Sequence, residues 1–343
     1  MSISTKSLPL PTSAPAAVRT SLQPRSIRVF EQDLPVPGPG EVLVRTEYCG
    51  LCGSDLHIWN GDDGYDWVPC GTVLGHEIVG TVVRVNGSSA IAPGTRVVAV
   101  AQSGCGDCPA CASEYANGCA HRLTLGLSQD GGAAGFVRIP FAQLIPVPEH
   151  IPALTAVLTE PLSVAARAVA SRGLVTHADA VVVSGPGTIG ILAALVCKHL
   201  GARVVLKGPE RDVAARSGLA AQLGLELVAE LPPGYRPNVW IEAAGAAAAL
   251  DDAVRELSVL GRLVVVALYG SPPVVAANDA VRKELNVITS YSSHRADYQL
   301  ALRILQERPD LGDLLVDVVP LRNIALAFEK VGRGIAPKVA VAP

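Results

Sequence analysis

The sequence is poor in large side chains: 3 Trp, 7 Tyr, 4 Phe and a single Met among 343 residues. With only 4% aromatics, the core must be built from small aliphatic residues. That composition fits many short Val/Ala-rich elements joined by turns and excludes a coiled coil or helical bundle. Charge is scarce too. Only 17% of residues are charged, 28 Lys+Arg stand against 31 Asp+Glu for a formal net charge of -3, and no basic run offers itself to a phosphate backbone, so nucleic acid is not an expected partner. No uninterrupted apolar run approaches the ~20 residues that cross a bilayer. The Ser/Pro-rich stretch from Met1 to Pro11 holds no apolar signal core. These absences read as a soluble, cytoplasmic protein with no membrane partner, whose first ten or so residues form a loose extension.

What is present is 33 Gly, 26 Pro and 8 Cys. At about 150 residues per domain, the length predicts two domains. The cysteines are clustered: Cys49, Cys52 and Cys70 in one region, Cys105, Cys108, Cys111 and Cys119 within fifteen positions, and Cys197 alone. In a cytosolic chain, clustering reads as metal binding or catalysis before disulfides. Cys49, Cys70 and Cys197 are read as buried small residues.

Residues up to about 150 read as mostly β, with turns such as Pro35 to Gly40 followed by strands at Glu41 to Arg45, Gly80 to Val85 and Gly94 to Val100. The texture changes after Pro152. A helical composition spans Ala153 to Ala170. Strands at Ala180 to Ser184, Arg203 to Leu206, Val239 to Ile241, Arg262 to Leu268 and Asn286 to Ile288 then alternate with helical segments, which implies a parallel sheet with crossover helices. The tail adds helices at Ala296 to Glu307 and Asn323 to Val331 and a strand at Lys338 to Val341.

Between the Ala180 to Ser184 strand and the helix that ends near Gly201 runs Gly185-Pro186-Gly187-Thr188-Ile189-Gly190. The three glycines suit a tight turn at Gly185, backbone approach to a pyrophosphate at Gly187 and close helix packing at Gly190. The helix start then offers free N–H groups and positive dipole charge to phosphate. A carboxylate gripping a ribose 2′-hydroxyl belongs at the end of the next strand, about 20 residues on. That strand ends instead in Lys207, with Arg211 close behind, which favours NADP; Glu210 or Asp212 acting through a longer loop would favour NAD.

Cys105, Cys108, Cys111 and Cys119 supply four thiolates in a short Gly/Pro-punctuated loop, a set suited to a closed tetrahedral zinc site; an iron–sulfur cluster is the other option. A dispersed second set comprises Cys52 with Ser54, Asp55 and His57, then His76 and Glu77, then Glu160. One Cys, one His and one or two carboxylates leave room for water or substrate, as a catalytic zinc requires.

Taken together and in this order, Cys52-Gly-Ser-Asp-Leu-His57, Gly75-His-Glu77, the four-cysteine loop, Glu160-Pro-Leu-Ser-Val164 and the glycine motif resemble a zinc-dependent medium-chain dehydrogenase of the sorbitol and threonine dehydrogenase type. The resemblance runs from about Ser26 to the C-terminus. It implies an α/β fold: a GroES-like β domain over residues 1-153 and 290-343, and a Rossmann domain with a doubly wound parallel sheet over 154-289. It implies two zinc ions per chain. Cys52, His76 and Glu77 match catalytic zinc ligands, Glu160 matches a carboxylate that binds the zinc or its water, and the four cysteines match a structural zinc. Ser54 and His57 match proton-relay positions, and Asp55 matches a position behind the ligands. The implied activity is hydride transfer between NAD(P) and a small alcohol, polyol or amino alcohol, with the ketone as substrate in reverse, in a homodimer or homotetramer joined through the edge of the Rossmann sheet.

One departure stands out: the aromatic-rich Asp-Gly-Gly-Phe-Ala-Glu-Tyr stretch of relatives reads Asp130-Gly-Gly-Ala-Ala-Gly-Phe136 here, so substrate specificity does not carry over. The loop Trp59 to Trp67 follows the catalytic segment and is read as bordering the substrate pocket or as a solvated acidic loop. Tyr291 and His294 are read as approaching the cofactor. Two other functions fit the same parts, a reductase of a conjugated C=C or imine bond and a non-catalytic cofactor-binding protein.

Overall fold

Short runs of β-branched residues alternating with apolar helices bury best as strands covered on both faces. The structure, a computed structural model describing residues 10–113 and 115–343, places these runs in one six-stranded sheet. Its order is Leu227–Val228, Arg203–Lys207, Ala180–Ser184, Val239–Glu242, Arg262–Val265, Asn286–Thr289, and every pair is parallel. From Ala180–Ser184 the chain first builds one wing of the sheet, then returns to the other side of that strand to build the second wing. The crevice between the ends of Ala180–Ser184 and Val239–Glu242 is therefore the switch point at which doubly wound sheets bind ligands. The Thr188–His199 helix that follows is buried along most of its length because Ile191 to Cys197 present no polar side chain.

The remaining strands make a seven-stranded sheet in which Val316–Pro320, Lys338–Ala342, Glu41–Leu51, Glu77–Asn86, Arg96–Ala99 and Leu144–Pro146 follow one another, with Phe136–Pro140 beside Glu41–Leu51. The strand Lys338–Ala342 lies inside this sheet, pairing Val339 with Leu51 and Val341 with Cys49. A separate ribbon pairs Ser13–Arg19 with Ile27–Asp33. No helix among the described residues is long and apolar enough to cross a membrane.

Several expectations need correction. The helical stretch after Pro152 is broken into Ala153–Ala156, Thr159–Ala166 and a π-helical turn Arg167–Arg172. Pro161 falls in the first turn of the middle segment, where its missing N–H costs no intrahelical bond. The strand from Arg262 stops at Val265, because the N–H groups of Val266 and Ala267 both turn to the Glu242 carbonyl. That strand is interior; Asn286–Thr289 forms the sheet edge. Cys49 and Cys197 are buried, but Cys70 is exposed. The expected N-terminal extension lies largely outside the described residues.

Candidate active site and cofactor cleft

Cys52 ends the long Glu41–Leu51 strand and caps the helix Gly53–Asn60. Three residues on, the Asp55 carboxylate turns back and accepts the Cys52 N–H at 2.9 Å, so the thiol and Asp55 are locked in one turn. Glu77 begins the neighbouring strand Glu77–Asn86, directly after His76, and pairs with Gly50 across the ladder. That register carries both side chains to Cys52, and one ligand atom from each of Cys52, His76 and Glu77 lies within 4.8 Å of the others. Asp55 Oδ2 stands 4.0 Å from His76 Nδ1. Asp55 Oδ1, His76 Nδ1 and Glu77 Oε2 are all buried without a hydrogen-bond partner among the described residues. Burial without partners is costly for polar atoms. Unpartnered polar atoms buried beside a Cys, His and Glu group this close suit a cation, and a mixed S, N, O donor set suits zinc.

Lys338 escaped the sequence reading altogether. Its ammonium lies 2.6 Å from Glu77 Oε1 and donates to the Leu51 carbonyl at 3.1 Å, with both charged side chains almost wholly buried. Burial works against the charge on Lys338, but Glu77, through its charge and its hydrogen bond, together with Cys52 and Glu160 holds the ammonium above its ordinary pKa. The signal available beforehand was one lysine in an otherwise apolar terminal strand. Glu160, in the first turn of Thr159–Ala166, lies outside the close Cys52, His76 and Glu77 group and is buried. Burial pushes its carboxyl up to about 7, His76 opposes the shift, and Glu77 adds to it.

Ser54 sits in the first turn of the Gly53–Asn60 helix. His57, one turn on, is half exposed, holds Asp62 Oδ2 at 2.6 Å and stacks on Tyr65 with ring centroids 5.2 Å apart. Of the two tryptophans flanking this loop, Trp59 is packed on Phe328 and Trp67 is exposed. Tyr291 and His294 lie against the cysteine loop: the Tyr291 carbonyl accepts from Asn117 Nδ2 at 2.7 Å, and the His294 ring tilts against Tyr115.

That loop brings Cys105, Cys108, Cys111 and Cys119 together. Sulfur separations are 4.0 Å for Cys105 to Cys111, 3.5 Å for Cys108 to Cys111 and 3.6 Å for Cys119 to Cys105. Four sulfurs at about 2.3 Å from a central zinc would stand about 3.8 Å apart, so the set fits a tetrahedral ion. The Cys105 N–H, and with it the His121 N–H, donates to Cys119 Sγ and lowers that thiol to about 6, towards the thiolate a metal binds.

At the switch point of the parallel sheet lies a cavity of about 520 Å³ lined by Ser184 to Gly187, Lys207 to Asp212, Arg216 and Ala243 to Ala244, with Asp252 on its far wall. Gly185 has φ +92, where a side chain would be strained, and a Cβ there would strike Ala244; a Cβ at Gly190 would collide with the Gly185 carbonyl. At Gly187 a Cβ would meet nothing, so the backbone there faces open space at a helix N-terminus, a cradle that fits a pyrophosphate. Thr188 Oγ1 is committed to the Pro337 carbonyl. Lys207 reaches Asp252 at 2.6 Å, and Arg211 points into solvent at the cavity rim. Arg216, which the sequence reading did not single out, donates to the carbonyls of Pro186 at 2.5 Å and Gly334 at 2.9 Å, joining the glycine turn to the segment that leads into Lys338.

The chain is similar to known proteins over most of its length. Residues 38–149 match the model of the alcohol dehydrogenase GroES-like domain, and residues 188–307 match that of the zinc-binding dehydrogenase. A sorbitol dehydrogenase of Halalkalibacterium halodurans is 32% identical over 96% of this chain and 99% of its own length. A zinc-binding dehydrogenase of Sinorhizobium meliloti solved with NADP superposes with a TM-score of 0.87 at 26% identity, covering 97% of this chain and 100% of its own. An alcohol dehydrogenase of Escherichia coli solved with NADH gives a TM-score of 0.87 at 25% identity over 97% and 100% of the two chains.

Proposed function

Because this chain belongs to the zinc-dependent medium-chain dehydrogenases, we propose that Cys52, His76 and Glu77 hold its catalytic zinc, that Glu160 serves the zinc or its water, and that Cys105, Cys108, Cys111 and Cys119 hold a structural zinc. The chain is an NAD(P)-dependent zinc oxidoreductase of small alcohols or polyols. The observation that carries the catalytic assignment is the grouping of Cys52, His76 and Glu77, one ligand atom from each within 4.8 Å of the others. The proposed division of the chain is a β domain of residues 1–153 and 290–343 and a cofactor domain of 154–289.

When bound, zinc lowers the pKa of the substrate oxygen and NAD(P) accepts the hydride. The chain supplies the rest. Asp55 fixes the turn carrying Cys52 and backs His76, which holds the ligand geometry. The Ser54 hydroxyl, two residues from Cys52, would accept the hydroxyl proton of the substrate while giving up its own towards half-exposed His57, which, held by Asp62, would release it to water. Lys338 supplies a counter-charge to Glu77 at Oε1, while Oε2 has no hydrogen-bond partner among the described residues.

For the cofactor we propose a preference for NADP: Lys207 replaces the strand-end carboxylate, and with Arg211 at the rim it would neutralise a 2′-phosphate. The gripping residues further include the Gly185 to Gly190 turn, in which Pro186, Thr188 and Ile189 set the spacing of the glycines. We also propose a cytoplasmic homodimer or homotetramer built through the sheet edge Asn286–Thr289, where Val287 is 59% exposed and Val281 beside it 74%.

The test is reduction of NAD⁺ and NADP⁺ followed by near-ultraviolet absorbance on polyols, cyclitols, secondary alcohols and amino alcohols, with Cys52→Ala alongside. Turnover of one class that disappears in the variant supports the assignment. A fully active Cys52→Ala protein refutes it.

A further inference from the structure

Glu242 ends the strand Val239–Glu242 at the switch point, is fully buried, and is used by nothing in the mechanism above. Three donors converge on its carboxylate: the N–H groups of Ala244 at 2.8 Å and Gly245 at 3.1 Å on Oε1, and the Tyr269 hydroxyl on Oε2. Its own carbonyl takes the N–H groups of Val266 and Ala267 at 3.0 and 3.2 Å. One residue thereby ties together two loops that leave adjacent strands at the same end of the sheet, 243–246 and 266–269. The first of these forms the wall of the cofactor cavity, since Ala243, Ala244 and Ala246 line it. It also lies directly on the glycine turn, where Gly185 has no room for a Cβ because of Ala244. The second loop abuts the first: Gly245 has φ +67 and faces the Leu268 carbonyl.

We infer that Glu242 and Tyr269 form a buried clamp that positions the 243–246 wall against the Gly185 turn, and so sets the affinity of the cleft for the dinucleotide without touching it. Both are positioning residues. A buried carboxylate that gathers two backbone N–H groups does for this loop what a turn alone cannot: it fixes the loop at one height above the sheet, and removal of a partner leaves the other donors buried and unpaired. Tyr269 secures the second oxygen, so the carboxylate cannot rotate away from the loop. The inference rests on the dehydrogenase reading of the cleft.

The experiment uses the full zinc-loaded chain and the variants Tyr269→Phe, Glu242→Gln and the two combined. Equilibrium binding of NADH and of NADPH is read by fluorescence, beside zinc content, thermal midpoint without cofactor, and separate KM values for cofactor and alcohol. Tyr269→Phe, which removes one bond and leaves the loop donors satisfied, is expected to weaken dinucleotide binding about fivefold to tenfold and to raise the cofactor KM equally, with zinc content and the alcohol KM unchanged. Glu242→Gln can keep its amide oxygen on the loop N–H groups and donate its N–H₂ to the Tyr269 oxygen, which exchanges charge-assisted bonds for neutral ones, and is expected to weaken binding to a similar degree. The double variant, in which the amide N–H₂ loses the Tyr269 oxygen, should depart from the sum of the two singles, because both changes act on the same contact. Unchanged dinucleotide affinity in Tyr269→Phe and Glu242→Gln, with or without a lower thermal midpoint, overturns the clamp and leaves a purely structural pair. A wild-type chain that binds neither dinucleotide overturns the underlying reading instead, and the clamp with it.

Discussion

Replacing Lys338 by Met leaves a side chain of similar length and takes away the ammonium paired with Glu77. The two charges are 2.6 Å apart, with side-chain exposures of 4% and 0%. At an effective dielectric of about 20, that separation gives an attraction on the order of 6 kcal/mol, much of which is offset by the desolvation both groups have already undergone. Loss of a single partner removes the attraction and keeps the desolvation, so Lys338→Met should lower stability by about 3–5 kcal/mol. The assay is urea unfolding followed by circular dichroism of protein without zinc at the Cys52 group, where no bound metal compensates Glu77. The same reasoning makes Glu77→Gln with Lys338→Met less damaging than Lys338→Met alone, because no unpaired charge then remains buried. A Lys338→Met chain that loses less than about 1 kcal/mol, or a double variant whose loss is the sum of the two singles, would refute the account.

Three further outcomes are expected. Cys52→Ala should bind about one zinc per chain in place of two by elemental analysis, because the four-cysteine loop is independent of it in space; two ions retained would contradict the ligand assignment. Cys105→Ser should lose the other ion and lower the thermal midpoint by several degrees, since the loop has few apolar contacts to hold it; an unchanged midpoint and zinc content would count against that site. Asp179 is partly desolvated, but the Thr176 N–H, Asn238 and the Arg262 guanidinium hold its carboxyl below the ordinary value. A depressed folded pKa means stability that is present above the unfolded value and lost as pH falls through the folded one. Asp179→Asn should therefore cost about 1–2 kcal/mol near pH 7, with the gap to wild type narrowing in urea titrations as pH falls below the unfolded value of about 4 and through the lower folded one; a gap that stays constant would remove the ionic contribution.

Much of this was legible from the sequence because it is local. The strand Ala180–Ser184 and the helix after the glycine turn follow from apolar runs with a turn between them, and the four cysteines come together within one short loop. Cys52, His76 and Glu77 were named from a family pattern; only the strand register explains why they meet. What stayed hidden is non-local. Lys338 finds Glu77 across 261 positions, and Tyr269 finds Glu242 across 27, neither separation having a period or motif that announces it. The ribbon Ser13–Arg19 was missed because its Ala/Pro composition lacks the branched residues that mark a strand, and it is held by pairing with Ile27–Asp33. The overlong strand at Arg262 shows the reverse error: apolar residues continue past Val265, but the backbone bends to the Glu242 carbonyl, which no side-chain pattern records.

The position of Lys338–Ala342 inside the seven-stranded sheet bears on how the molecule is made. During synthesis, the parallel sheet of residues 180–289 has all its strands available well before residues 338–342 have left the ribosome. The metal triad is in a different situation: Glu41–Leu51 and Glu77–Asn86 emerge early, but the strand that closes their sheet and brings the counter-charge to Glu77 comes after every other strand in it. Until then Cys52, His76 and Glu77 sit on an open sheet edge with an uncompensated carboxylate. A ribosome stalled before residue 338 should therefore display a protease-resistant cofactor sheet beside a sensitive, metal-poor β portion, and release of the last strand would complete the catalytic centre in a single late step.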